Sequence, residues 1–178
     1  DTYATDWSMW DDSYNFVQDG NEAFIQANLM DETFTNAEIG LMMFFDLSGH
    51  LVYGKAMDFE NSQEIPVPQE VERQLLLTNT LQSGSSIEDH ITGILLCSQG
   101  PLLISKQPIL TSTAEGPASG IFIVGRFLDQ GLIDSLKKTS QLSFNLYGLD
   151  DFQLIAEDKA AAQSLSDQTD IFVKPSSR

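Results

Sequence analysis

The sequence predicts an α+β fold in which helices flank an antiparallel sheet. Three observations lead to this fold class. Apolar runs occur as neighbours separated by short turns containing Gly or Pro, which is typical of β-hairpins. Segments with helical periodicity stand before, between and after these runs. A chain of 178 residues with 42% hydrophobic residues fits one domain, residues 1–178, with a sizeable core.

The first elements are predicted to be helices. Residues 1–19 are expected to form one continuous helix that ends before Gly20, because glycine is favoured after a helix C-terminus. Asn21 is suited to cap a second helix over residues 22–29. A short helical turn is expected over residues 33–36.

A hairpin and a helix are predicted next. Residues 39–45 are almost continuously apolar, which predicts a central strand covered on both faces. Residues 46–49 supply the turn, and residues 50–57 form the return strand. After a proline-bearing loop, a helix is predicted over residues 69–81. Three of its apolar side chains are expected to face inward: Val71, Leu75 and Leu76.

The remaining elements continue the alternation of strands and helices. A second hairpin is expected to turn at Gln99-Gly100-Pro101, since Gly and Pro mark tight turns. The remaining elements are, in order, strands 91–98, 102–110 and 118–127, a helix 128–139, a strand 142–147, a helix 158–166 and a strand 171–174.

A run near the N terminus, residues 6–16, contains both tryptophans of the chain together with three aspartates. At the helical period, four aromatic side chains in and before this run share one face: Tyr3, Trp7, Trp10 and Tyr14. Asp11 and Asp12 lie beside that face. Two interpretations remain open. The rings pack on the sheet as core, or they form the wall of a binding pocket with the carboxylates at its end.

The net charge excludes some partners. The 26 acidic and 9 basic residues give a charge of −17, which repels phosphate backbones and anionic membrane surfaces, so no nucleic-acid partner is predicted. Such acidity is more often a solubility feature than a cation site. No run approaches the roughly 18 apolar residues of a membrane span, and no signal peptide is recognisable. Because the chain begins within a predicted helix, we expect it to be an excised part of a longer protein.

The motifs of common enzyme classes are missing from the sequence. His50 and His90 lack the spacing of a zinc site, and neither a G-x-S-x-G elbow nor a phosphate-binding glycine loop occurs. Asp6, Asp11 and Asp12 do not alternate as in a calcium loop. We therefore expect no enzyme activity, catalytic residue, metal or cofactor. A hydrolase using Asp11 or Asp12 is the weakest alternative, since it requires two carboxylates with separated pKa values in one cavity.

The N-terminal run has the form DWxxWDDxYxF and resembles the fourth class of CHASE domains. These are extracellular sensor modules of bacterial and archaeal histidine kinases and cyclic-di-nucleotide enzymes. The resemblance covers residues 6 to about 150. The residues that carry it are Asp6, Trp7, Trp10, Asp11, Asp12, Tyr14 and Phe16, then Asn28-Leu29, 41–46, 49–54 and 120–129.

The resemblance implies a Cache- or PAS-like layout and an extracytoplasmic location. It also implies membrane-spanning helices on both sides of this domain and a homodimer in the full-length protein. A small molecule would bind between the aromatic helix and the sheet, and the domain would pass a conformational signal across the membrane. The alternative is a structural or protein-interaction module that binds no small molecule.

A ligand pocket would combine aromatic side chains with a few placed polar groups. Arg126 closes the apolar run 121–125, where a charged group needs a carboxylate partner. Two roles stay open for Arg126: an ion pair with Asp11 or Asp12, or contact with the carboxylate or phosphate of a ligand. The predicted ligand-binding residues are Trp7, Trp10, Asp11, Asp12, Tyr14, Tyr53 and Arg126.

Overall fold

The computed structural model describes residues 2–59, 61, 63–77, 89–144, 146 and 155–164. The chain divides into two compact units, Asp1–Leu132 and Ile133–Arg178. The assignment of residues 1–178 to a single domain stays a prediction. The helices are α1 (Thr2–Ser8), α2 (Asp11–Asp19), α3 (Glu22–Asn28), α4 (Asp31–Ala37), α5 (Gln69–Leu77), α6 (Gln130–Ser140) and α7 (Ala156–Ser164). The strands are β1 (Leu41–Asp46), β2 (Leu51–Asp58), β3 (Gln63–Ile65), β4 (Ile91–Cys97), β5 (Gly100–Ile109) and β6 (Gly120–Phe127).

Within the described residues, six strands form one antiparallel sheet in the order β3-β2-β1-β6-β5-β4. β1 lies inside the sheet, paired with β2 on one side and with β6 on the other. β5 joins β6 to the edge strand β4. Helices pack on both faces of the sheet. The predicted α+β class, an antiparallel sheet flanked by helices, is therefore confirmed.

Each face of the sheet carries its own apolar cluster. Side chains alternate along β1, so Met42 and Phe44 belong to one cluster while Leu41, Met43 and Phe45 belong to the other. All five side chains are buried. The prediction of a central strand covered on both faces is confirmed.

Helices α1 to α4 cover one face of the sheet, which we call the aromatic face. It carries Phe44 of β1 together with Phe122, Val124 and Arg126 of β6, since Phe44 pairs with Phe122 and side chains alternate along β6. The first unit therefore places most of its aromatic residues between the N-terminal helices and the sheet.

The opposite face of the sheet is covered by α5. Val71 and Leu75 of this helix are buried against it, as predicted. The side chain of Leu76 lies outside the described residues, as do residues 78–88, so the predicted end of this helix at residue 81 stays a prediction.

The prediction of one continuous helix over residues 1–19 is wrong, because the chain leaves the helix between α1 and α2. Met9 forms a parallel bridge with Leu110, and the Leu110 N–H donates a hydrogen bond of 2.8 Å to the Ser8 carbonyl. Trp10 is extended, with φ −136° and ψ 129°. Pairing with the chain after β5 thus replaces helical hydrogen bonds at this point. The four aromatic residues assigned to one helical face therefore lie on two helices and the junction between them.

The remaining predictions concern one helix cap and several short strands and helices. The Asn21 side chain accepts a hydrogen bond of 2.9 Å from the Phe24 N–H, which confirms the predicted helix cap. The short strand β3 was not expected, because its proline-bearing segment resembles a loop. Residues 142–144 and 146 are not in a strand, so the strand predicted at 142–147 is wrong for these positions. The helix predicted at 158–166 is observed as α7, whereas the strand predicted at 171–174 lies outside the described residues.

Within the second unit, Lys137 of α6 places its ammonium 5.9 Å from the centre of the Phe144 ring. Across the part of the chain that the structure describes, every helix is too short or too polar to cross a membrane.

Candidate functional site

The two tryptophans of the N-terminal run lie in the aromatic cluster between the helices and the sheet. Trp7 stacks on Phe122, with ring centres 6.2 Å apart and planes at 19°. Trp10 meets Trp7 edge to face at 5.8 Å and also contacts Phe24. These contacts support the interpretation of the rings as core, and the ligand-binding role of Trp7 and Trp10 stays a prediction.

The acidic part of the same run lies at the start of α2, on the outside of the unit. The Asp11 carboxylate accepts a hydrogen bond of 2.9 Å from the Ser112 N–H. Asp12 is exposed. The Tyr14 hydroxyl donates a hydrogen bond of 3.3 Å to the Pro117 carbonyl. Asp11 and Tyr14 therefore attach α2 to the loop before β6.

Tyr53 lies on β2 beneath the helices and away from Arg126. Its hydroxyl lies 3.5 Å from the Leu29 carbonyl, and its ring meets Phe16 and Phe44 edge to face. Burial raises the pKa of the Tyr53 hydroxyl. The predicted binding role of Tyr53 stays a prediction, and its observed contacts join β2 to the helices.

Arg126 lines a cleft of about 530 Å³ at one end of the aromatic face, where α1 and the end of α4 meet strands β4 to β6. Of the seven predicted ligand-binding residues, Arg126 is the one that lines this cleft. The lining residues with the most distinct chemistry are Tyr3, Glu38, Leu103, Ser105, Val124 and Arg126. We refer to this cavity as the α1–α4 cleft.

The acidic partner of Arg126 is Glu38, so the hypothesis of an ion pair with Asp11 or Asp12 is wrong. The Arg126 guanidinium contacts the Glu38 carboxylate, and the two side chains are 39% and 60% exposed. The physical reason is their position along the sheet. The Gly40 N–H bonds the Gly125 carbonyl, which brings the end of α4 beside Arg126. Asp11 is instead bonded to Ser112, in the loop that precedes the start of β6.

The floor of the α1–α4 cleft includes a buried polar side chain, that of Ser105. Ser105 is 8% exposed, and none of the described groups lies within hydrogen-bonding distance of its hydroxyl. Gln107, two residues along β5 on the same face, is also buried, and among the described residues its side-chain oxygen has no partner. Such groups are rare in protein interiors because burial without a hydrogen bond is costly. A hydrogen-bond partner for the Ser105 hydroxyl would therefore stabilise a group that is otherwise costly to bury.

Tyr3 of α1 contributes the other wall of the cleft. Burial raises the pKa of the Tyr3 hydroxyl, and a hydrogen bond with the Trp7 side chain opposes this shift. The Tyr3 hydroxyl can both donate and accept hydrogen bonds. The ring centres of Tyr3 and Trp7 are 6.0 Å apart, so Tyr3 links the cleft to the aromatic cluster.

Several residues of the cleft were not predicted as site residues. Ser105 was expected only to be part of a strand, although a second polar residue two positions later, Gln107, indicates polar side chains on one covered face. Glu38 carries no comparable signal, because its proximity to Arg126 depends on how α4 returns to the sheet. Among the described residues, no group of three or more His, Cys, Asp or Glu side chains is placed to hold a metal ion.

Comparison with known proteins identifies the family of this chain. The CHASE4 domain family matches residues 1–147. The chain belongs to the CHASE4 family. It is also similar to the methanogenesis regulatory histidine kinase FilI of Methanothrix harundinacea (strain 6Ac), with 36% identity over 143 residues. The match covers 80% of this chain and 16% of that protein, so the chain spans a small part of its relative. The resemblance to CHASE domains is confirmed, and the chain is a sensory domain of a signalling protein.

Proposed function

We propose that this CHASE4 domain is the extracytoplasmic ligand-sensing part of a membrane-bound receptor, and that the α1–α4 cleft is its binding site. The output of the full-length receptor would be a histidine kinase, as the name of its relative FilI states for that protein, or a cyclic-di-nucleotide enzyme. The domain itself is not an enzyme in this proposal. The receptor is tethered by membrane helices, acts as a homodimer and senses a small molecule.

The observation that carries this proposal is the composition of the cleft. Ligand sites are concave and mostly apolar, with a small number of polar groups that orient the ligand. The α1–α4 cleft combines the apolar side chains of Leu103 and Val124 with the guanidinium of Arg126 and the hydroxyls of Tyr3 and Ser105. A volume of about 530 Å³ falls within the usual range for small-molecule sites.

The position of the cleft suggests how binding is transmitted. Its walls belong to three parts of the chain: α1, the connection from α4 to β1, and the sheet. A ligand that contacts Tyr3 and Arg126 together would change the distance between α1 and β6. In this proposal that displacement is the signal, and the antiparallel sheet with helices on both faces is a Cache- or PAS-like scaffold for it.

A second candidate function is an interaction module that binds no small molecule. It is favoured by the apolar edge strand β4, where Ile94 and Leu96 are exposed at 53% and 62%. An edge strand of this kind can pair with another chain. The two candidates differ in whether the α1–α4 cleft takes a ligand.

A thermal-shift screen of the 178-residue chain tests the proposal. The panel comprises amino acids, organic acids, polyamines, purines and divalent ions. A compound at about a hundredfold excess over its Kd adds about 2.7 kcal/mol of stability, which gives a clear rise in Tm. Because the Tyr3 ring contacts the Trp7 ring, a bound compound should also change tryptophan fluorescence.

Two variants locate any compound that binds. Leu103→Glu places a charge in the α1–α4 cleft at a position that is 44% exposed, so the fold should tolerate it. Leu47→Glu makes the same change at an exposed position of the first hairpin turn. Binding should be lost in the first variant and kept in the second. A panel without any stabilising compound, or equal binding by both variants, would contradict the proposed site.

A further inference from the structure

We propose that the α1–α4 cleft binds a small carboxylate with an apolar body, and that Glu38 is an intramolecular competitor for the Arg126 guanidinium. This inference rests on the proposed function and specifies the chemical class of its ligand. It follows from the hydrogen-bonding character of the cleft, from the backbone of Glu38 and from the apolar wall.

The polar groups of the cleft are mostly donors. Arg126 offers several N–H groups in a planar fork that matches a carboxylate, and the contact with Glu38 joins one nitrogen, Nη2, to one carboxylate oxygen. Tyr3 lines the cleft, and its hydroxyl is able to donate. Ser105 adds a hydroxyl that has no partner among the described residues. Three donors around one cleft favour an oxyanion over an amine.

Glu38 is the carboxylate among the lining residues, and it already contacts Arg126. The pair lies at the mouth of the cleft, where both side chains are well exposed to water. Ion pairs in such positions are weak because solvent screens the charges and the side chains lose entropy. A ligand carboxylate can therefore take the place of Glu38 at small cost.

The backbone of Glu38 supports a role for its side chain. Glu38 ends α4 in the left-handed conformation, with φ 52° and ψ 43°. Glycine is the usual residue in this position, because a Cβ atom is disfavoured there. The chain carries glutamate at a position where the backbone favours glycine, and the Glu38 side chain contacts Arg126. Residues held in such conformations cluster at ligand clamps and switch regions.

The remaining wall defines the body of the ligand. Leu103 and Val124 lie beside Ser105 and Arg126 on neighbouring strands, since Leu103 pairs with Arg126 and Ser105 pairs with Val124. Leu103 is 44% exposed, so a hydrocarbon chain that covered it would gain apolar burial. A carboxylate at Arg126 would thus direct its apolar body along β5.

The test compares three probes of one length: hexanoate, hexanamide and hexylamine. Binding to the 178-residue chain is measured by isothermal titration calorimetry. We expect hexanoate to bind at least about tenfold more tightly than the neutral or cationic probe, because only its head is an anion with two equivalent oxygens that can form a bidentate ion pair with the guanidinium. Arg126→Gln should weaken hexanoate binding about tenfold, because it removes the cationic fork that pairs with the carboxylate.

Variants of Glu38 test the competition. Glu38→Gly removes the carboxylate and suits the left-handed backbone, so hexanoate should bind about 1.5- to fivefold more tightly, as expected when a weak competing ion pair is lost. Ala114→Gly is the matched control, since Ala114 also has a positive φ, of 56°, and lies in an exposed loop. It should leave hexanoate affinity unchanged. Circular dichroism confirms that each variant is folded.

The outcomes separate this inference from the proposed function. Failure of hexanoate to bind, equal or tighter binding of hexanamide or hexylamine, or unchanged hexanoate affinity in Arg126→Gln would each overturn the carboxylate class. If a compound of another class then binds to the wild-type chain and loses its binding in the Leu103→Glu variant, the proposed function stands while this inference fails. Unchanged or weaker hexanoate affinity in Glu38→Gly would overturn the competition with Glu38.

Discussion

The two ends of the aromatic face show how one sheet surface serves two purposes. Around Phe44 and Phe122 the rings are fully buried under α1 to α3, with Trp7 stacked on Phe122. Around Val124 and Arg126 the same strands continue in the same register, yet the surface opens into the α1–α4 cleft. The strands are continuous through both ends. The difference in burial between the two ends therefore comes from how far the helices extend over the sheet.

This comparison separates the part of the domain that provides stability from the part that is free to bind. Buried aromatic packing contributes most of its free energy through apolar area removed from water. An exposed ion pair and an unpartnered hydroxyl contribute little to the free energy of unfolding. Substitutions at the covered end should therefore affect stability, while those at the cleft should affect ligand affinity.

The largest effect is expected for Phe44→Ala at the covered end. Its side chain is fully buried in the central strand, so the substitution should lower the free energy of unfolding by about 3–5 kcal/mol. Leu103→Ala in the α1–α4 cleft is the matched change and should cost less than about 1 kcal/mol, since Leu103 is largely exposed. Urea unfolding of both variants measures the contrast. Equal losses would show that the cleft is as tightly packed as the core.

A smaller effect is expected at Lys55, which attaches α4 to the sheet. Its ammonium pairs with Asp31 at 2.5 Å and with Glu64 at 3.3 Å, and lies 5.1 Å from the centre of the Phe34 ring. Lys55→Met keeps most of the buried stem and removes the charge. The variant should be about 1–2 kcal/mol less stable at neutral pH, because charge-assisted hydrogen bonds are lost.

The pH dependence gives a sharper check on Lys55. Burial alone would lower the pKa of the Lys55 ammonium, but its hydrogen bonds with Asp31 and Glu64 outweigh burial and raise it. A raised pKa means that the stabilisation is present at neutral pH and is lost as pH rises through the folded-state pKa. The difference between wild type and Lys55→Met should therefore shrink above roughly pH 10.4.

Lys106→Met is the control, because the pKa of Lys106 is shifted in the direction opposite to that of Lys55. Burial lowers the pKa of the Lys106 ammonium, so its charge opposes folding at neutral pH and this cost disappears as pH rises. The variant should be as stable as wild type or more stable at pH 7. Urea midpoints at neutral and alkaline pH compare the two lysines. A loss of similar size in both variants would contradict the role assigned to Lys55.

A still smaller effect is expected for Arg126→Gln. The ion pair with Glu38 is exposed, so its loss should lower the free energy of unfolding by only about 0.2–1 kcal/mol. High salt should reduce this difference further, because salt screens exposed charges. Thermal unfolding at low and high salt measures both quantities. A loss of several kcal/mol would indicate that Arg126 is a structural residue.

The smallest effect on stability is expected for Ser105→Ala. Because its buried hydroxyl has no partner among the described residues, removal should leave the free energy of unfolding within about 0.5 kcal/mol of wild type, or raise it. Ser8→Ala is the matched control, since the buried Ser8 hydroxyl donates to the Thr5 carbonyl at 3.2 Å. That variant should lose about 0.5–1.5 kcal/mol. A larger loss in Ser105→Ala than in Ser8→Ala would reverse the assignment.

The N-terminal run shows what a local pattern can predict and where it fails. Trp7 and Trp10 were expected to share one helical face, either as core on the sheet or as the wall of a pocket, and they lie in the aromatic cluster. The continuous helix was wrong, because the signal that ends α1 is the pairing of Met9 with Leu110, about a hundred residues away. No periodicity within the run records that long-range contact.

The partner of Arg126 shows the same limit at the candidate site. A charged residue at the end of an apolar run requires an acidic partner, and this requirement is visible in the sequence. The identity of the partner is not, since the chain has 26 acidic residues. The hydrogen bond from Gly40 to Gly125 selects Glu38 by bringing the end of α4 beside β6.

The sequence by itself determined the α+β class, the buried central strand, the capped helix α3 and the membership in the CHASE4 family, because each depends on residue periodicity or on a local motif. The tertiary structure decided where the helices stop covering the aromatic face, which acid pairs with Arg126 and which polar residues meet in the α1–α4 cleft. These features depend on contacts between segments far apart in the chain, and such contacts are fixed only when the helices pack on the sheet.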